Sequence, residues 1–283
     1  MVDGATAYKD RKFQVAEQLF RKTVDIDPNG ETMEGKTAQL FLARTLHSEF
    51  ISDRKRTDLA EQAVQAYEKV LQRDVNDQGS FKALASLMEV LDRKDEALQR
   101  ITERAGNEKV NPAYRAEAYT SLAARKYSCA NDISDNDPVK KTVKKDGKDV
   151  YQYNKPEKQE DFDKLKGCAQ DGLDLVEKAL AMEPPEVKQM KDLNLKSMTP
   201  ADIDAKEELL KIFSSAWSYK ANLLYQKMRI AEMDKNETDK ASFKSKGDEA
   251  RSVFTGLNEV EKNMDAEKDA RKKAEEEKNS NKK

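Results

Sequence analysis

The sequence predicts an all-α protein, a superhelical array of antiparallel helical hairpins with a small β-hairpin in one insertion. Three observations carry this expectation. Apolar residues recur at i, i+3, i+4 and i+7 through most of the chain. Small and aromatic residues return at similar places in successive helix pairs. Charged and hydrophobic residues each make up 37%, a surface-rich balance that suits an elongated array better than a globule with one large core. Only ten Gly and seven Pro are present, so turns are sparse.

Residues 8–30 set the pattern. Ala16, Leu19, Phe20, Thr23 and Val24 form one helical stripe, and Asp27-Pro28-Asn29-Gly30 ends it, because proline cannot continue the hydrogen-bond ladder. A helix this short cannot bury its apolar face alone and needs neighbours of the same kind. Upstream, residues 3–12 carry Gly4 and Ala7 where a first helix presses small side chains on its partner. They read as half a motif, and residues preceding them are expected to have been removed, which is where a signal peptide or lipid-attachment site would lie.

A second helix is expected over about 32–50, with Leu40, Ala43 and Leu46 on one face. Its partner over about 57–73 carries Ala60, Ala63, Val64, Tyr67 and Leu71. The stretch 48–58 between them reads as an insertion, longer than an ordinary hairpin turn. A third pair places Phe81, Leu84, Ala85 and Met88 opposite Ala97, Leu98 and Ile101, and Ala63 to Ala97 spans 34 residues.

The fourth pair is split by the polar stretch 131–160, where Asp146-Gly147 between Val143 and Val150-Tyr151 signals a β-hairpin. A helix resumes at about residue 155 and runs to Met182 before Pro184-Pro185. After a linker, Thr199-Pro200 starts another helix, with Thr as cap and Pro at the first position. Leu210, Phe213, Trp217, Ala221, Leu224, Met228 and Ala231 make that helix long. The last helix, about 238–263, uses Phe243, Ala250, Val253, Phe254 and Leu257. Residues 264–283 have no apolar face and are expected to form a solvated helix that frays, a charged or disordered tail to the repeat domain 1–263.

These residues resemble the tetratricopeptide repeat (TPR) family. Gly4, Phe13, Ala16, Phe20 and Pro28 match in the first repeat. Ala43, Ala63 and Tyr67 match in the second, where Val75 replaces the closing Pro. Phe81, Leu84, Ala85 and Ala97 match in the third. Tyr119, Leu122, Ala123, Ala179, Leu180 and Pro184 match in the fourth, and Trp217, Ala221, Ala250 and Phe254 in the last. Irregular spacing marks a divergent member, and the long insertions are similar to those of uncharacterised exported bacterial proteins of this family. The resemblance implies a non-catalytic scaffold that binds a protein or peptide on its concave face. It points Arg44, His47, Lys82, Ser86, Glu89, Thr120, Tyr127, Asn222 and Tyr225 toward that face. It also implies that the carboxylate clamp of the chaperone-binding members is absent, since Ala5, Phe41 and Ala83 occupy three of its places.

Gly30-Glu-Thr-Met-Glu-Gly35-Lys36-Thr37 satisfies the phosphate-loop pattern GxxxxGK[ST], making nucleotide binding by residues 30–37 the leading alternative, with a structural assembly subunit as another. That motif requires a buried strand before it, whereas a helix ending at Pro28 precedes Gly30. The single histidine, His47, has no cysteine at metal spacing and no positioned nucleophile, so no metal, cofactor or catalytic residue is expected. Trp217 reads as core, and Asn236-Glu-Thr is a glycosylation sequon meaningful only in a secreted eukaryotic protein. A formal net charge of −2, with 52 basic against 54 acidic residues, argues against nucleic acid. No apolar run approaches the ~18–20 residues of a membrane span. Finally, Cys129 and Cys168, the only cysteines, lie near the turn end of one antiparallel pair. They are expected to form a disulfide that clamps the insertion, which places the protein outside the cytoplasm, in the periplasm or cell envelope, with the cytoplasm as the alternative.

Overall fold

A computed structural model describes residues 2–280. Among these residues are eleven α-helices and one two-stranded sheet, and the chain divides between Asn111 and Pro112 into two compact units.

The first unit contains α1 (Val2–Lys9), α2 (Phe13–Ile26), α3 (Met33–Ser52), α4 (Thr57–Arg73), α5 (Gln78–Val90) and α6 (Lys94–Gly106), each packed on its neighbour in sequence. Their apolar stripes form one core that includes Ala16, Phe20, Leu46, Phe50, Ala63, Tyr67, Leu84, Met88 and Ala97. Small residues sit where helices approach closely. A Cβ on Gly4 would lie 2.8 Å from the Phe20 ring, so the glycine is what lets α1 settle on α2. The turns after α1 and α5 are closed by residues in the left-handed region, Arg11 (φ 59°) and Asp92 (φ 60°). In each, the following N–H reaches back five residues, Lys12 to the Ala7 carbonyl and Arg93 to the Met88 carbonyl, both at 2.8 Å, which ends the helix without a glycine.

Side-chain contacts also link some alternate helices of this unit. Tyr8 on α1 meets Phe41 on α3 edge to face at 5.5 Å and its hydroxyl lies 3.5 Å from Ser48 Oγ. Among α2, α4 and α6, Arg21 of α2 donates to Gln62 of α4 at 2.6 Å, Arg93 at the start of α6 pairs with Glu61 of α4 at 2.7 Å, and Arg100 of α6 pairs with Glu68 of α4 at 2.5 Å. The expected insertion at 48–58 is absent. Helix α3 continues through Ser52 and α4 begins at Thr57, leaving an ordinary four-residue turn. Polar residues placed late on a long helix had looked like loop.

The second unit contains α7 (Pro112–Ser134), β1 (Lys140–Lys145), β2 (Lys148–Tyr153), α8 (Gln159–Leu180), the short α9 (Pro185–Gln189), α10 (Pro200–Met233) and α11 (Glu237–Ser280). Helices α7, α8 and α10 pack on one another, and α11 lies along α10. The start of α10 is fixed as expected: Thr199 Oγ1 accepts from the Asp202 N–H, Asp202 closes the reciprocal bond, and Pro200 occupies the first turn. The hairpin is also where the sequence places it. Val143 pairs with Val150, and Asp146 and Gly147 both take positive φ, 52° and 78°, the two-residue turn that matches strand twist.

Cys129 of α7 and Cys168 of α8 are joined, with Cα atoms 6.0 Å apart. The bridge clamps the stems of the segment that carries the hairpin. Beside it, a polar network ties α7 to α10: Ser134 Oγ donates to Gln226 Oε1 (2.8 Å), Gln226 Nε2 to Asn131 Oδ1 (3.2 Å) and Arg229 Nη1 to Ser134 Oγ (3.0 Å).

Two expectations for this unit change. The linker before α10 is part of the core, with Val187 and Met190 fully buried against α10 and α11. The charged tail is helical through Ser280, and its first turns are docked. Met264 is fully buried, Lys268 pairs with Asp204 (2.7 Å) and Glu207 (2.6 Å), and Arg271 donates to the carbonyls of Met198 (2.8 Å) and Leu195 (2.7 Å). Beyond Met264 charged side chains, not an apolar stripe, hold this stretch, which is why hydrophobic periodicity does not reveal it.

Candidate functional site

In the first unit, α1 and α3 carry an open row of aromatic and polar side chains. Phe41 is stacked on the buried Phe20 ring at 5.5 Å and carries Tyr8 on its edge, so its position is set by the repeat core. Arg44, one turn on, is exposed, its guanidinium 5.6 Å from the Phe41 ring centre. His47, a further turn along, is half-buried, with Nδ1 3.4 Å from the Tyr67 hydroxyl and the rings edge to face. Burial, aided by Arg54, holds the imidazole below its ordinary pKa, so it is neutral near pH 7. Tyr67 is itself buried, and burial pushes its phenol well above the ordinary range. The row can therefore offer a cation, a neutral imidazole, two hydroxyls and aromatic edges. Nothing in it is arranged as nucleophile and base.

The nine residues picked out in the sequence divide between the units. Arg44 and His47 on α3 and Lys82, Ser86 and Glu89 on α5 belong to the first. The α5 three are all exposed and share one stripe at i, i+4 and i+7. The four in the second unit are less available. Thr120 is buried and donates to the Ala116 carbonyl at 2.8 Å. Tyr127 meets Tyr219 edge to face at 6.0 Å. Tyr225 lies in the α10–α11 contact, where its hydroxyl donates to Asp248 (2.9 Å) and its ring leaves no room for a side chain at Gly247. Asn222 is half-buried on α10. Thr120 and Tyr127 lie on α7 and Asn222 and Tyr225 on α10, where α11 covers Tyr225. Conversely, Tyr8, Phe41 and Ser48 were not singled out as site residues. The signal available was Phe41 itself, an aromatic one turn before Arg44 on the same helix.

The segment 30–37 forms a helix start, not a phosphate cradle. Thr32 caps α3, and the Asp27 carboxylate accepts from the Glu31 N–H (2.9 Å), the Thr32 N–H (2.8 Å) and the Thr32 hydroxyl (2.7 Å). Those bonds hold the Asp27 carboxyl down to about pKa 2. The amides that a phosphate would need are thus occupied by an internal anion. The carbonyls are taken too, Pro28 by Gln39 Nε2 at 2.8 Å and Gly30 by Arg73 at 3.3 Å. Gly30 adopts φ 61°, and a Cβ there would collide with the Arg73 guanidinium.

The remaining candidates are structural. Trp217 donates through Nε1 to Glu183 at 2.9 Å and packs in the core of its unit. Asn236 caps the entry to α11, its amide donating to Asp239 and its oxygen accepting from the Asp239 N–H. Among the described residues, Glu207, Glu261 and Asp265 are close enough to share a metal ion. Lys211 and Lys268 already reach Glu207, and these hydrogen bonds hold its carboxyl below the ordinary range. The cluster is an ion-pair network that docks α11 on α10. No described helix is long and apolar enough to cross a membrane. Set beside known proteins, the chain matches no family model and none of the curated proteins.

Proposed function

We propose that the chain is a divergent TPR-like scaffold, non-catalytic, that binds a protein or peptide on the face lined by α1, α3 and α5. The observation that supports this reading is the set of contacts between alternate helices of the first unit. First helices meet through Tyr8, Phe41 and Ser48, and second helices are linked through Arg21–Gln62, Glu61–Arg93 and Glu68–Arg100. Stacked helix pairs of this kind leave the first helices as an uninterrupted surface. That surface carries Arg44, His47, Lys82, Ser86 and Glu89 on α3 and α5, a mixed polar set on rigid elements that suits recognition of an extended polypeptide. The Cys129–Cys168 bridge supports a working place in an oxidising compartment, the periplasm or cell envelope.

Nucleotide binding by residues 30–37 is the less favoured alternative, because the Asp27 carboxylate occupies that loop. Two measurements test the proposal. A photo-crosslinking amino acid at Arg44 or Ser86 should capture one defined partner in the source cell, whereas the same group at Lys22 or Gln99 on second helices should not. Titration with ATP and Mg²⁺ should give no saturable signal; saturable binding lost in Lys36→Ala would overturn the scaffold reading.

A further inference from the structure

The hairpin of the second unit has no part in the surface just proposed. Between Lys140 and Lys155 the chain carries six lysines against two aspartates, a formal +4 in a chain of net −2. The base of the hairpin is held internally. Tyr153 is buried, Arg229 lies 4.6 Å from its ring centre, Lys140 pairs with Asp135 at 2.6 Å and Lys155 with Asp234 at 2.7 Å. The distal half is not. Lys141, Lys144, Lys145 and Lys148 are exposed, and no ion pair is formed by any of them among the described residues. Val150 and Tyr151 are 37% and 61% exposed. A two-stranded ribbon is marginal in water without a third strand or a packed face, and this one has neither beyond its base.

The register says which backbone groups are open. A two-residue turn makes Lys145 and Lys148 a hydrogen-bonded pair, so bonds inside the ribbon alternate through Val143–Val150 and Lys141–Gln152. The pairs between them, Lys144–Asp149, Thr142–Tyr151 and Lys140–Tyr153, point their N–H and C=O outward. Consistent with this, the Asn154 N–H bonds inward to the Val139 carbonyl, and the Tyr153 N–H bonds outward to Glu232 Oε1 at 3.1 Å. On the β2 edge this leaves the amides of Asp149 and Tyr151. The Tyr151 end of this edge borders an open cleft of about 990 Å³, lined by Val143, Lys145, the 150–155 strand end and residues of the α10–α11 corner between Glu232 and Lys240. The carboxylates on the corner are met by lysines of this chain, Asp234 by Lys155 and Lys166, and Glu232 and Glu237 by Lys240, which they share. Four lysines of the lining, Lys145, Lys155, Lys235 and Lys240, stand against three carboxylates, Glu232, Asp234 and Glu237, so the excess charge facing the cleft is positive by one.

We propose that this cleft receives an extended acidic segment of a partner protein, added to β2 as a third strand at Asp149 and Tyr151. Backbone pairing supplies affinity, the Val143–Val150 pair receives alternate apolar side chains, and the unpaired lysines select acidic ones. The one carboxylate on this edge, Asp149, lies directly across from Lys144 and does not repel the incoming strand. The inference does not depend on the α1–α3–α5 surface.

The test uses the full chain, isotope-labelled for NMR, titrated with a seven-residue peptide of alternating Glu and Val. Shifts should be confined to 140–155 and 232–240, with exchange of the Asp149 and Tyr151 amides slowed. The Lys/Val counterpart should not bind. Affinity should fall at least about tenfold in Lys144→Glu/Lys145→Glu/Lys148→Glu. Tyr151→Pro removes an outward N–H that no bond within the hairpin uses, so it should abolish binding while the hairpin signals remain. Absence of binding at millimolar peptide would overturn the proposal. So would equal binding of anionic vesicles or DNA that Tyr151→Pro leaves unchanged, or hairpin-dependent self-association showing that a second copy fills the cleft.

Discussion

Removing the Cys129–Cys168 bridge should destabilise the second unit by an amount that the loop size sets. The two residues are 39 apart in sequence, and closing a loop of that length removes unfolded-state entropy worth roughly 4 kcal/mol at 25 °C in the chain-entropy model. Some of this is offset where the unbridged unfolded chain keeps residual structure, so a loss of about 2–4 kcal/mol is expected in Cys129→Ala/Cys168→Ala. Trp217, the only tryptophan, is an internal reporter, because its indole N–H is bonded to Glu183 within the same unit. With a urea m-value of about 2–3 kcal/mol/M, the fluorescence midpoint should drop by about 1–2 M. A reduced or doubly substituted protein with the midpoint of the oxidised one would show that the bridge constrains nothing, and the inference of an oxidising compartment would lose its physical basis.

Three further outcomes follow from the packing and charges. Phe20→Ala should cost about 3–5 kcal/mol, since the ring is fully buried between Gly4 and Phe41; chemical denaturation followed by circular dichroism measures it. Asp27 binds its amides as a carboxylate, so its contribution is present above the unfolded pKa of about 4 and is lost as pH falls toward about 2. Asp27→Asn should therefore flatten the acid limb of a stability-against-pH curve for the first unit, and an unchanged limb would refute the cap. Arg271→Ala should destabilise by about 1–2 kcal/mol, because two carbonyls, Leu195 and Met198, lose a charged donor. Hydrogen exchange over 264–271 should rise with it, and wild-type exchange there as fast as at the chain end would contradict the docking.

What the sequence reveals here depends on how local the cause is. The hairpin was legible because Asp146-Gly147 satisfies a turn that few other pairs can adopt. The start of α10 was legible because Thr199-Pro200 acts within one turn. Ala63, Tyr67 and Ala97 announced helix contacts because a small or aromatic side chain must be repeated wherever hairpins stack. The bridge was legible from the antiparallel pairing of two helices alone. Features whose role depends on how the surrounding chain folds were not. Arg271 looks like one charge among many until Leu195 and Met198 present their carbonyls. Asp27 reads as part of a helix stop, and only the fold of the next five residues turns it into the anion that fills their amides. Tyr225 has the spacing of a groove residue, yet α11 lies over it.

The most direct test of the scaffold reading is hydrogen exchange of the whole chain with and without the partner captured through Arg44. The account predicts slowed exchange along α1, α3 and α5 with α2, α4 and α6 unchanged. A footprint on α2, α4 and α6, or stable self-association with no partner, would contradict it.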